Sequence, residues 1–168
     1  MPKINVKFSF LLFNALMFMF RESRLILGFY IACLIHEAGH IIAVRLTGGE
    51  VHRIDFSWTG IKMTASPPRS LKAGILVQLS GPAANLLTFL ILILSGNTGY
   101  LALFSLAEGL FNLLPYSFLD GGAALDMLAE GAANEPLLRK IYTTLRITVT
   151  AAIAAFLIFG LLYSPHNI

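Results

Sequence analysis

The chain has 168 residues, 57% of them hydrophobic and 12% charged, with a formal charge of +3. A soluble domain carries about a quarter charged residues, so this chain has too little charge to cover a water-facing surface and too much hydrophobicity to stay disordered. No stripe of Lys and Arg interleaved with aromatics is present, which excludes a nucleic-acid partner, and the lone Cys33 excludes an internal disulfide framework.

A helix that crosses the hydrocarbon needs about 20 residues. The first apolar stretch, 8–20, is shorter than that. It follows Lys3 and Lys7 like a signal peptide, but no small-x-small cleavage site precedes Arg21, so it reads as mature protein that crosses tilted or lies at the interface. Residues 25–46, 73–94, 100–119 and 141–163 are each long enough to cross. Gly48-Gly49 gives the first of them a sharp exit. The partly alternating stretch 51–64, with Thr59-Gly60 inside it, reads as a short β-hairpin, and Pro67-Pro68 separates it from the next span. A short helix follows Asp120-Gly121-Gly122. The expected fold is therefore an all-α polytopic membrane protein: a bundle of four to five transmembrane helices with a short membrane-associated β-hairpin, all in one domain over residues 1–168.

The basic residues set an orientation. With five spans and the N-terminus inside, Lys3, Lys7, Arg45, Arg53, Lys62, Arg69, Lys72, Arg139, Lys140 and Arg146 fall on or near the inner side, and only Arg21 and Arg24 outside. The N-terminus is then cytosolic and the C-terminus outside. Loss of the first span leaves the other four oriented the same way.

Against this background, His36-Glu37-Ala38-Gly39-His40 is costly inside an apolar helix, and intramembrane ionisable groups mark function. His36 and His40 are four residues apart, on one helical face, and both reach one metal ion. Zinc takes imidazole nitrogen and keeps an open position at catalytic sites, and Glu37 is placed to act as general base on a water held there. Gly39 permits close approach of a neighbouring backbone. A third ligand is needed, and spacing leaves Asp120, Cys33, His52, Asp55 and Glu108 open, with Asp120 favoured and Cys33 next. The glycines after Asp120 give its backbone freedom to aim the carboxylate inward.

Two further elements fall inside spans. Gly81-Pro82-Ala83-Ala84-Asn85 interrupts the second long one, where Pro82 removes a helix donor and permits a kink. Asn112 and Pro115 repeat the theme before Asp120. Asn112 and Asn85 are each candidates for orienting a bound peptide or its oxyanion, against a plain role in binding helices together. A metal-handling membrane protein is the rival reading of the same polar residues.

Taken together, His36-Glu37-Ala38-Gly39-His40, Gly81-Pro82-Ala83-Ala84-Asn85, and Asn112-Leu113-Leu114-Pro115 with Leu119-Asp120-Gly121-Gly122 resemble the site-2 protease family of intramembrane zinc metalloproteases, nearest its stage-IV sporulation branch. The resemblance covers a catalytic core of about residues 25–123. It implies one Zn2+ per chain on His36, His40 and Asp120, with Glu37 as base. It also implies cleavage of membrane-embedded peptide or protein substrates near the cytosolic face of a bacterial or archaeal cytoplasmic membrane. The hairpin matches a family region that helps hold substrate. No PDZ-like insertion or C-terminal nucleotide-sensing module is visible in the 168 residues, so any regulator is expected to be a separate membrane protein.

Overall fold

A computed structural model describes residues 2–20, 23–57 and 60–162. The elements run β1 (Lys3–Val6), α1 (Phe8–Phe20), α2 (Ser23–Leu46), β2 (Val51–Ser57), β3 (Gly60–Ala65), α3 (Leu71–Leu94), α4 (Tyr100–Asn112), α5 (Asp120–Glu130) and α6 (Glu135–Leu162). Arg21, Thr59 and Tyr163, which entered the expectations above, lie outside the described residues.

The two long helices α2 and α3 end in the same way. Gly48 and Gly96 take φ of 77° and 78°, which a residue without Cβ adopts freely. Each carries the paired bonds of a left-handed helix terminus: Gly49 N to Val44 O with Gly48 N to Arg45 O, and Asn97 N to Leu92 O with Gly96 N to Ile93 O. At its start, α3 is capped by Ser70, whose hydroxyl accepts from Ala73 N at 3.2 Å. Among the described residues, α2 and α3 are the two helices long and apolar enough to cross a membrane.

The third expected span is not one continuous helix. α4 stops at Asn112 after 13 residues, well short of the length a span needs. Pro115 cannot donate to a helical ladder, and the chain from Leu113 to Leu119 is irregular before α5 begins at Asp120. Conversely, Pro82 does not interrupt α3, which runs through it unbroken from Leu71 to Leu94.

The hairpin β2–β3 forms as expected, with a register irregularity between Val51 and Arg53. A strand absent from the expectations joins it: β1 pairs parallel to β2, Ile4 opposite Ile54 and Val6 opposite Phe56. Sheet order β1-β2-β3 leaves β3 as an edge. Asn5 ties β1 to β2 by donating to Asp55 Oδ1 at 2.7 Å. That carboxylate is also held by Arg53, and the two bonds together keep its pKa below the usual range.

α2, α3 and α4 pack on one another, while large apolar side chains such as Leu27, Leu76, Leu90 and Leu103 face outward and stay more than half exposed. An apolar exterior around a small polar interior is the arrangement lipid requires of a helical bundle.

Candidate metal centre

α2 turns His36 and His40 to the same buried face. Their Nε2 atoms lie 3.1 Å apart. The Asp120 carboxylate meets both, Oδ2 at 2.9 Å from His36 Nε2 and 3.3 Å from His40 Nε2. Asp120 is the first residue of α5, where the positive end of the helix dipole favours a carboxylate. Among the described residues, these three form the group of metal-ligating side chains whose donor atoms all lie within 4.8 Å of one another.

The other candidates for third ligand sit elsewhere. His52 meets Ser66 Oγ at 3.1 Å in the hairpin region, and Asp55 is engaged by Asn5 and Arg53. Cys33 and Glu108 lie against each other on the wall of the same cavity, outside the three-residue cluster.

The donor set fits a zinc ion. Tetrahedral zinc with bonds of about 2.0–2.1 Å holds its donors roughly 3.3 Å apart, close to the separations seen here. Room for the cluster comes from α3: a Cβ on Gly81 would fall 2.4 Å from His40 Nε2 and 2.7 Å from His36 Nε2. Gly39 does the same for the helix pair, since a Cβ there would meet Ser80 O at 2.5 Å. His40 Nδ1 donates to Val77 O at 2.7 Å, which fixes the tautomer that leaves Nε2 free as a ligand. The side chains of His36 and His40 are 6% and 9% exposed and that of Asp120 19%, so the cluster is most open beside the carboxylate.

Gly121 and Gly122 act by close packing. Neither has positive φ, and a Cβ on them would meet Leu113 O at 2.4 Å and Tyr116 O at 2.0 Å. The irregular segment after α4 thus folds directly onto the start of α5 and sets where Asp120 begins. Pro115 belongs to that segment, and its carbonyl accepts from Arg146 Nε of α6 at 2.6 Å.

A cavity of about 1040 Å³ opens on the cluster, lined by His36, Glu37 and His40 of α2, by Asn112, and by β3 from Gly60 to Met63. Asn112 donates to Glu108 O within its own helix at 3.1 Å. Asn85 stands differently: it is fully buried, is absent from the cavity wall, and its amide lies between His36 and Glu108. Sequence reasoning missed the Val77 carbonyl and Arg146. Backbone carbonyls leave no mark in a sequence, and Arg146 was visible only as a basic residue near a span end.

The profile of the Peptidase M50B-like family matches residues 10–119, which takes in His36, Glu37, His40 and Asn112 and ends one residue before Asp120. Among solved structures, the fold is similar to that of the site-2 protease from Methanocaldococcus jannaschii, at 21% identity and a TM-score of 0.60, over 98% of this chain and 82% of that one. No curated protein sequence matches the chain.

Proposed function

The chain belongs to the Peptidase M50B-like, or site-2 protease, family, whose members are membrane-integral metalloproteases, and on that premise we propose that it is a zinc endopeptidase cutting membrane-embedded peptide or protein substrates. The observation that carries this reading is the convergence of His36, His40 and Asp120 beside Glu37 at the end of one cavity. His36 Nε2, His40 Nε2 and an Asp120 oxygen would hold the ion. Zinc in that position supplies Lewis-acid polarisation of a water and of the scissile carbonyl. Glu37 takes the proton of the attacking water and returns it to the departing amine.

A substrate helix hides its carbonyls in satisfied backbone bonds, so it must be presented extended. The free edge of β3 lines the cavity, and an extended substrate strand added to that edge exposes its scissile backbone to the site. Asn112, which also lines the cavity, orients the unwound chain. The order and composition of the three motifs stand nearest the stage-IV sporulation branch. The distribution of basic residues favours a site toward the cytosolic face, in what we take to be a bacterial or archaeal cytoplasmic membrane, with α2 and α3 as spanning helices. A separate membrane protein is the natural source of regulation.

The test pairs zinc content with cleavage of a membrane peptide in liposomes. Glu37→Gln should keep its zinc and lose cleavage by about 10²–10⁴-fold, and His36→Ala should lose both. Cleavage by Glu37→Gln at the wild-type rate would sink the mechanism.

A further inference from the structure

Beside His36 runs a polar chain that the proposed reaction does not use, with Asn85 buried and Glu108 and Cys33 half-buried on the cavity wall. Asn85 Nδ2 stands 3.4 Å from His36 Nδ1 and 3.1 Å from Glu108 Oε2. The Cys33 thiol lies against Glu108. Asn85 is fully buried, and its Oδ1 has no partner.

That pattern suits a metal-free histidine, in which Nδ1 accepts from the amide and Nε2–H donates to Asp120. It does not suit a ligand. A histidine that gives Nε2 to a metal carries its ring proton on Nδ1 and needs an acceptor there. Among the described residues, the polar group facing His36 Nδ1 is the Asn85 amide, whose oxygen and nitrogen are interchangeable by rotation about one bond. Turned over, the amide sets Oδ1 opposite His36 Nδ1–H, and the same oxygen then faces Glu108. In that orientation the Glu108 group must donate, which a carboxylic acid does and a carboxylate does not.

We infer that Asn85 and Glu108 are positioning residues for the metal: Asn85 Oδ1 accepts from His36 Nδ1–H, and Glu108 holds the amide in the orientation that makes this possible. The inference rests on the reading of His36, His40 and Asp120 as a zinc site. Asn85 is absent from the cavity wall and Glu108 lies on it; the role inferred for both is to orient His36 and not to act on the reacting atoms. His40 obtains the same service from a backbone carbonyl, Val77 O, whereas His36 depends on side chains that mutation can remove.

The experiment measures zinc affinity by chelator competition in the detergent-solubilised full chain, with helical circular dichroism as the check of folding. Wild-type protein that takes up no zinc overturns the zinc reading itself. Given wild-type binding, Asn85→Leu, which keeps the branched shape without the polar atoms, and Glu108→Leu should weaken zinc by about 10–100-fold. Glu108→Gln, whose amide donates from the same place, should stay near wild type, as should Cys33→Ala, whose contact is with the Glu108 carboxyl. Cobalt in place of zinc should show an altered visible spectrum in Asn85→Leu alone among Asn85→Leu, Glu108→Gln and Cys33→Ala. Leucine variants that hold zinc as tightly as wild type overturn the inference, and so does an equal loss in Glu108→Gln and Glu108→Leu, which would make Glu108 a packing residue. Should a leucine variant not fold, Asn85→Ser decides: it withdraws the amide while staying polar, and unchanged affinity there overturns the proposal.

Discussion

The helices around the metal cluster and the last helix of the chain are joined to the molecule by different means. Where α2 meets α3 and where α5 starts, neighbours approach so closely that no Cβ fits, against backbone at Gly39 and Gly122 and against the histidine rings at Gly81. α6 instead packs mainly on α5 and is fastened by polar tips: Arg146 to Pro115 O and Asp126, and Tyr116 Oη to Thr150 Oγ1 at 2.7 Å. Its outer residues Ile147 and Phe156 are largely exposed. The first kind of joint leaves the ligand atoms little room to move, as ligand geometry requires. The second fixes a helix to its neighbour while leaving most of its surface for lipid. Substitutions in the two regions should therefore fail differently: the first through zinc, the second through stability.

The largest effect is expected at Gly81. In Gly81→Ala the new methyl lies 2.4 Å from His40 Nε2 and 2.7 Å from His36 Nε2, so the histidines must leave the cluster or α3 must retreat. Zinc binding and cleavage should both be lost while helical content is retained, and zinc analysis beside circular dichroism checks this. Wild-type zinc content in Gly81→Ala would show that the cluster tolerates movement and would dissolve the distinction between the two joints. Gly122→Ala comes next. Its clash is with the Tyr116 backbone, which has no rotamer to yield, and overpacking of this sort costs about 1–3 kcal/mol. The strain falls on the first turn of α5, so the expected result is a lower melting temperature together with weaker zinc binding through a displaced Asp120.

These two glycines also show what could be read before the structure. The four-residue spacing of His36 and His40 requires only that they lie on a helix, a local property that the apolar run around them already displays. Gly81 and Asp120 were visible as motif members, but spacing alone left the third ligand open, because which carboxylate reaches an intramembrane pair depends on how separate helices cross. The same dependence hid the place of Asn85, whose neighbours His36 and Glu108 come from two other helices. β1 was hidden for a related reason: four residues pairing in parallel with a strand some fifty positions away carry too short an alternation to register. The end of α4 at Asn112 was legible in Pro115, yet the hydrophobic count ran across it because Leu113, Leu114 and Phe118 are as apolar as the helix itself.

Arg146→Leu tests the second joint. It strips Pro115 O and Asp126 of their partner, and loss of such charge-assisted bonds in a part-buried place costs about 1–3 kcal/mol. The variant should melt earlier, with zinc affinity reduced far less than in Gly81→Ala, because the segment from Leu113 to Leu119 is still held by Gly121 and Gly122. A loss of zinc as complete as that of Gly81→Ala would show that α6 shapes the ligand cluster directly.

The smallest effect is a pH dependence confined to this same joint. Burial raises the Asp126 pKa, but hydrogen bonds from Ser117 and Arg146, with the charge of Arg146, outweigh it and hold the carboxyl below its usual range. A carboxylate with a depressed folded-state pKa stabilises the fold fully above the unfolded value, about 3.9 for Asp, and loses that contribution as pH falls through the folded value. Melting temperature should therefore fall more steeply below about pH 4 in wild type than in Asp126→Asn, and the two curves should converge toward the acid end. Zinc protonation equilibria at the ligands would add their own acid sensitivity, so the comparison belongs in metal-free protein, where a difference between the two curves reports the α5–α6 fastening and not the cluster. Parallel curves would mean that the Arg146–Asp126 pair contributes nothing to holding α6, leaving the bond to Pro115 O as its main tie.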